Sequence, residues 1–489
     1  NYRMASTLRS SMPGYSSSEL TANMRSQQHV VFMNISATGH INPTLPLVAE
    51  LRARSCDVTY FVEGTMRSVV EAAGASWLPY RNPYDDDTGP PKSLHPSGIA
   101  KYVPEGTPCE EYLDVPSGLL HTAEILLPAL IQDLRKLQPR PSLIVNDPFL
   151  AFGPVAGHVL GVPVAAMLTM AGPGRLFDTD KVIDQWESKP WVDGPRREVL
   201  LNYGFDMLKR SVLRGFYSPT LNLVTTIDQF YTAPWPGRQQ QRFGSFPFRC
   251  VGVLADPLVK RVTNANLKQE GGQYLDLRTL DVAIGAGQRV LYISLGTVAS
   301  SKVFWARAFG FAGKTTGLED CTGKQLTQHV FRACFEAFGS SGKDAALVIL
   351  ALGPQEDVLE GFPPTPPNFV LRKAVPQMEV LQRCSAFITH GGANSMHEAL
   401  SLGVPMAVVP LFGDQPMNAE SLEACGAAIS FHRPMESVTP ASLSAALGRL
   451  LEPDHEKNPF RAAACRMAQK LQDARNIPTA TDALLEAAA

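Results

Sequence analysis

Short apolar runs recur along this chain, each closed by a polar or glycine-bearing turn and followed by an amphipathic stretch. The run His29-Val30-Val31-Phe32-Met33 comes first and reads as a buried parallel strand. Asn42 and Pro43 then open TLPLVAELRARS, where Asn suits an N-cap and Pro the first helical position, so a helix is predicted there. Residues 57–61 read as the next strand and 66–73 as a helix closed by Gly74. Strand and helix alternate again at 142–146 and 155–160. A second series begins at 289–294, turns at Gly296-Thr297 and resumes from Gln328, with further strands at 346–352, 369–372, 386–388 and 406–409. Such alternation predicts α/β architecture with doubly wound parallel sheets.

The two series are separated where the pattern loosens, around 248–257, before a polar stretch with Gly271-Gly272. At 489 residues the chain is too long for one core and suits two domains. The expected division is a Ser-rich, polar and disordered leader at 1–28, a first Rossmann-like domain at 29–255, a linker at 256–287 and a second Rossmann-like domain at 288–470. A C-terminal helix at 471–489 is expected to pack back on the first domain. The Pro-, Gly- and acid-rich stretch 81–118 is too long for a simple connection and reads as a loop or lid over a pocket.

Composition mainly excludes. Net charge is −2 and charged residues make up 18%, which gives no sign of nucleic acid or an anionic membrane surface as partner. The eight cysteines form no CxxC pair, so a reduced cytoplasmic setting fits better than a disulfide framework or a zinc site. No apolar stretch is long enough for a membrane span.

Chemistry concentrates in ITHGGANSMHEALSLGVPMAVVPLFGDQPMNAE. A strand runs into His390 and paired glycines, and a helix carrying Asn394, Ser395 and Glu398 follows. A glycine turn at a helix N-terminus presents free N–H groups and the positive end of the helix dipole, so it suits an anion. Asn and Ser add donors, and Glu398 can accept from sugar hydroxyls. The next strand leads to Asp414-Gln415 at its carboxyl end, where α/β ligands bind. The pattern reads as a pocket for a nucleoside diphosphate carrying a sugar.

In the first half, His40 follows Gly39 after the first strand. With a pKa of about 6.5, histidine accepts a proton near neutral pH. A hydroxyl nucleophile needs such a base. Asp147, after the strand SLIVN, can hold the imidazole in one tautomer.

The block HGG, NS, the following Glu and the DQ..NA ending, with Val375-Pro376-Gln377 upstream, resembles the nucleotide-sugar signature of family-1 glycosyltransferases, the UDP-glycosyltransferase and macrolide glycosyltransferase type. ATGHINPTLPLVAEL resembles their opening segment. The resemblance implies the GT-B fold, two Rossmann-like domains facing each other across a cleft. It implies an inverting transferase that moves a sugar from a nucleoside diphosphate sugar, with UDP expected, to a small, apolar, hydroxylated acceptor. His40 matches the family's base and Asp147 its partner. Thr297, His390, Gly392, Asn394 and Ser395 match the diphosphate contacts and Glu398 the ribose contact. Val375 and Gln377 match donor positions, Gln377 on the base side, and Asp414 and Gln415 match the sugar-binding pair. No cofactor or metal is implied, because helix dipole, N–H groups and His390 are expected to neutralise the leaving diphosphate.

One departure bears on the nucleotide. The family's stacking tryptophan, three residues before the glutamine, is Ala374 here, so either UDP binds weakly or another ring fills the gap, with Trp305 or Phe304 as candidates. Rival readings are a nucleotide-sugar-binding protein without transfer, and a nucleotide-sugar hydrolase or epimerase. Other signals carry less. Gly313-Lys314-Thr315-Thr316 lacks the first P-loop glycine, since Ala308 stands there. Asp85-Asp86-Asp87 reads as a solvated acidic turn rather than a metal site. His158 and His397 read as helix-face residues.

Overall fold

The structure, a computed structural model, describes residues 28–82, 100–107, 115–170, 188–208, 217–231, 244–254, 275–297, 299–342, 345–452 and 458–489. The leader, the Asp85–Asp87 run, most of the 81–118 stretch and the first part of the expected linker lie outside these residues.

The first unit holds β1 (His29–Met33), β2 (Asp57–Phe61), β3 (Ser76–Leu78), β4 (Leu143–Asn146), β5 (Val164–Leu168), β6 (Leu221–Val224) and β7 (Phe248–Cys250). They form one seven-stranded sheet in the order β3-β2-β1-β4-β5-β6-β7, with every pairing parallel. The second unit holds β8 (Val290–Ser294), β9 (Leu347–Ala351), β10 (Phe369–Arg372), β11 (Ala386–Thr389), β12 (Met406–Val408) and β13 (Ala428–Ser430). Its six strands run β10-β9-β8-β11-β12-β13, again all parallel.

Alternate residues of each central strand enter different cores, which is why the strands read as continuous apolar runs. Val31 and Met33 face one apolar layer while Val30 and Phe32 face the other. Leu291 and Ile293 divide in the same way from Val290 and Tyr292. Strand order reverses between β1 and β4 in the first sheet and between β8 and β11 in the second. Loops leaving the carboxyl ends of such neighbours diverge and leave a crevice. His40 and Asp147 follow the first pair; Gly296 and His390 follow the second.

Two local expectations change. Asn42 caps no helix start; it closes a short helix, Thr38–Ile41. Thr44 precedes the helix Leu45–Ala53, with Pro46 in its first turn. The early turn has a cause, since buried Asn34 donates Nδ2 to the His40 carbonyl at 3.0 Å and holds it closed. In the second unit, helix resumes at Gly323 rather than Gln328, because Thr322 and Gln325 form a capping box. The 300–327 segment folds onto its unit through Trp305, Phe309 and Leu318, all buried.

The chain ends by crossing back. After the helix Pro459–Ala474, the helix Ile477–Ala487 buries Ala480, Ala483 and Leu484 in the layer formed by Val30, Phe32 and Leu47. Among the described residues no helix is long and apolar enough to cross a membrane.

Candidate active site

His40 sits in the turn after β1. Its Nδ1 lies 2.6 Å from Asp147 Oδ2, and Asp147 is fixed in turn because its Oδ1 accepts from the Phe149 N–H at 2.8 Å. The carboxylate is 1% exposed and the imidazole 20%. With Nδ1–H directed at Asp147, Nε2 is the nitrogen left to take a proton. Burial opposes the charged imidazole, but the Asp147 carboxylate, by charge and hydrogen bond, and Asp414 from the other unit raise His40 above 6.5. Thr169 Oγ1, 3.3 Å from Nδ1, and Phe149, edge-on to the ring at 5.5 Å, complete its surroundings. Asn34, Thr169 and Phe149 carry no local signal that marks them in the sequence.

Across the cleft, the helix Ala393–Ser401 starts at Gly392 with no side-chain cap on its first N–H groups. His390 stands between two glycine turns. A Cβ on Gly296 would fall 2.5 Å from its ring, and one on Gly392 also 2.5 Å. Its Nδ1 is buried and without a hydrogen-bond partner among the described residues. A cradle of glycine backbone, an uncapped helix start and an unsatisfied ring nitrogen fits a diphosphate. In the protein alone, burial pushes His390 down to about 4, so the ring there is neutral at pH 7.

The remaining predicted residues form two groups. Gln377 Nε2 donates to Glu398 Oε2 at 2.8 Å and Ser395 Oγ at 3.2 Å, and Tyr292 donates its hydroxyl to Gln377 Oε1 at 3.1 Å. One network thus joins the base-side, ribose and diphosphate positions. The Val375 side chain packs in the core, so only its backbone can face a ligand. Asp414 accepts from Asn418 Nδ2 at 2.9 Å. Gln415 Oε1 accepts from the Leu411 N–H at 2.8 Å, which leaves its amide NH₂ for a sugar hydroxyl. Thr297 is exposed at the mouth of the β8 turn. Asn394 turns away from the cradle, donating Nδ2 to the Gly39 carbonyl at 2.6 Å.

Neither proposed substitute ring is free. Trp305 is buried with its indole N–H on Asp357 Oδ1 at 2.8 Å. Phe304 packs on Phe309 and on Phe412, at 5.4 and 5.1 Å. Among the described residues no cluster of side chains has metal-binding composition. His158 is an ordinary helix residue against Phe205. His397 is not on an exposed face; it is buried at the junction of the units.

Known proteins resemble this chain in sequence and in fold. The family described as UDP-glucoronosyl and UDP-glucosyl transferase matches residues 358–466, which span the Gln377, His390 and Asp414 loops. NDP-glycosyltransferase YjiC of Bacillus licheniformis is 27% identical over 86% of this chain and 89% of its own length. UDP-glucuronosyltransferase 2C1 of Oryctolagus cuniculus is 38% identical over 22% of this chain and 21% of its own. In fold, the glycotransferase of kitacinnamycin superposes with a TM-score of 0.64 at 21% identity, covering 94% of this chain and 98% of that one. CalG4, the calicheamicin glycosyltransferase, gives 0.62 at 22% identity, with the same coverage of 94% and 98%. The fold is GT-B, and the resemblance to family-1 glycosyltransferases carried by the motifs holds across the chain. The protein is a glycosyltransferase that draws its sugar from a nucleoside diphosphate donor, similar in sequence to UDP-glycosyltransferases.

Proposed function

We propose that the enzyme transfers the sugar with inversion to a hydroxyl of a small lipophilic acceptor, with His40 as general base. The observation that supports this most is the His40–Asp147 pair, whose imidazole lies within the electrostatic reach of Asp414 from the facing unit. His40 Nε2 takes the acceptor's hydroxyl proton, and the freed oxygen bonds to the anomeric carbon. The bond from that carbon to the diphosphate breaks on the opposite face, and the electron pair leaves with the nucleoside diphosphate. Asp147 stabilises the imidazolium.

UDP is the proposed carrier. Gln377, with Val375 backbone, takes the base; Glu398 the ribose; Thr297, His390, Gly392 and Ser395, with the backbone N–H of Asn394, the diphosphate; and Asp414 and Gln415 the sugar. No metal or other cofactor enters the reaction. Phe149 beside His40 favours an apolar acceptor such as a phenol, sterol or polyketide. Eight scattered cysteines with no CxxC pair suit a reduced, cytoplasmic setting.

The test crosses UDP-, TDP- and GDP-sugars with phenol, sterol and macrolide acceptors, scored by mass spectrometry with and without EDTA. Acceptor-dependent release of UDP, unchanged by EDTA, is expected. Release independent of acceptor would make the protein a hydrolase, and binding without release would make it a carrier of nucleotide sugar.

A further inference from the structure

The helix that opens the diphosphate cradle also bonds to the facing unit twice. Asn394 donates Nδ2 to the Gly39 carbonyl at 2.6 Å, and one turn later His397 Nε2 meets Thr226 Oγ1 at 2.8 Å. Thr226 follows β6 of the first unit, so this second bond spans the junction. Its partners are 3% and 0% exposed. Phe230 lies edge-on to the imidazole at 5.9 Å. Ile227 and Phe230 share an apolar cluster with Met396 and Leu400 of the helix, so this stretch of the first unit is set into the core of the second.

A polar pair in such an apolar contact is costly unless its bond forms. It therefore favours one register of the two units over its neighbours, much as buried polar residues fix register elsewhere. The register has a direct bearing on chemistry. Gly39 immediately precedes His40, and a Cβ on Gly39 would lie 2.7 Å from Asn394 Nδ2, so a side chain there would push the amide from its bond. On the same helix stand Ser395 and Glu398. Its docking thus sets how far the donor lies from His40.

We infer that Thr226 and His397 are positioning residues, a cross-domain clamp that with Asn394 and Gly39 fixes the general base relative to the nucleotide sugar. His397 acts as a neutral acceptor here. Its ring also bonds to the Ala393 backbone, which leaves Nε2 to accept the Thr226 hydroxyl proton. The inference rests on the donor and base assignments proposed above.

Thr226 lies outside those assignments, so it offers the clean test. Thr226→Val keeps the shape and removes the hydroxyl. The full-length variant should bind UDP within about twofold of the native protein by calorimetry, while kcat for transfer falls about ten- to a hundredfold, the scale of a small misplacement of reacting groups. Thr226→Ser should restore kcat. Native kcat in Thr226→Val, loss of UDP affinity in proportion to kcat, or no rescue by serine would each overturn the clamp. If Thr226→Val does not fold, Thr226→Ala takes its place with the same readings. Failure of the underlying reading looks different: the native protein would then bind neither UDP, TDP nor GDP, which overturns both.

Discussion

In the proposed mechanism His40 draws its reactivity from two carboxylates, Asp147 and Asp414, that no local sequence window contains. Burial alone would make the imidazole a weaker base, and Asp147 reverses that by contact, with Asp414 adding from the other unit. With His40 as the proposed base, transfer needs the neutral ring, so the rate should rise with pH through a value above 6.5. His40→Ala should lower kcat about a hundredfold to ten-thousandfold while UDP binding stays intact, because the donor loops belong to the other unit. Asp147→Asn removes the group that raises the imidazole. Its acid limb should move to lower pH and its kcat should fall about tenfold or more, as a pH–rate profile would reveal. Stability runs the other way. A histidine raised on folding contributes fully below its unfolded value of about 6.5 and loses that contribution as pH climbs through its folded value. Ala374 makes a separate residue-scale case. Trp305 and Phe304 are both engaged elsewhere, so Ala374→Trp should supply the stacking ring and tighten UDP binding, by roughly 1–3 kcal/mol on the scale of base–aromatic contacts. Unchanged calorimetric affinity would mean that this position does not face the base.

The donor cradle is a property of two loops held against each other. Gly296 has φ of +73° and its Cβ position is filled by the His390 ring. Gly296→Ala must strain the backbone and displace that ring, so UDP affinity should fall about tenfold or more while far-UV circular dichroism stays native. Native affinity would remove His390 from the cradle. Elements of this kind were legible in the sequence where one local pattern decides them. Apolar runs marked the central strands, and glycine with histidine follows the ends of β1 and β11, where the proposed base and donor residues lie. Helix starts were less legible. Asn42-Pro43 has the composition of a cap, but Asn34, eight residues back, holds the His40 carbonyl and closes the turn early. The Thr322–Gln325 box is a local signal that the irregular polar stretch before it obscured. The charge state of His390 was not legible at all, because it depends on what surrounds the ring rather than on its neighbours in sequence.

At the scale of the whole molecule the two units are joined by reciprocal insertion. Residues Ile227 and Phe230 of the first enter the core of the second, and the last helix of the chain returns to the first. Gly252, at φ +69°, marks where the outgoing connection passes the returning one; a Cβ there would lie 2.7 Å from the Ala474 carbonyl oxygen. Sequence periodicity cannot reveal such contacts, since it reports that a helix has an apolar face and not which unit receives it. The receiving unit is identifiable by experiment. Leu484 is fully buried against the first unit's layer of Val30, Phe32 and Leu47, and around it Arg54 bonds Asp482 and the Pro478 carbonyl. Leu484→Ala removes buried apolar volume and should cost about 2–5 kcal/mol. That loss should fall on the first unit alone, because the helix packs on the helix Leu45–Ala53 and β6 of that unit. Denaturation followed by hydrogen exchange should show amides of β1, β2 and β6 losing protection, while β8, β11 and the helix Ala393–Ser401 keep theirs and UDP binds with native affinity. Equal loss of protection in both sheets would mean that the units unfold as one body, and that the returning helix stabilises the junction rather than the layer it covers.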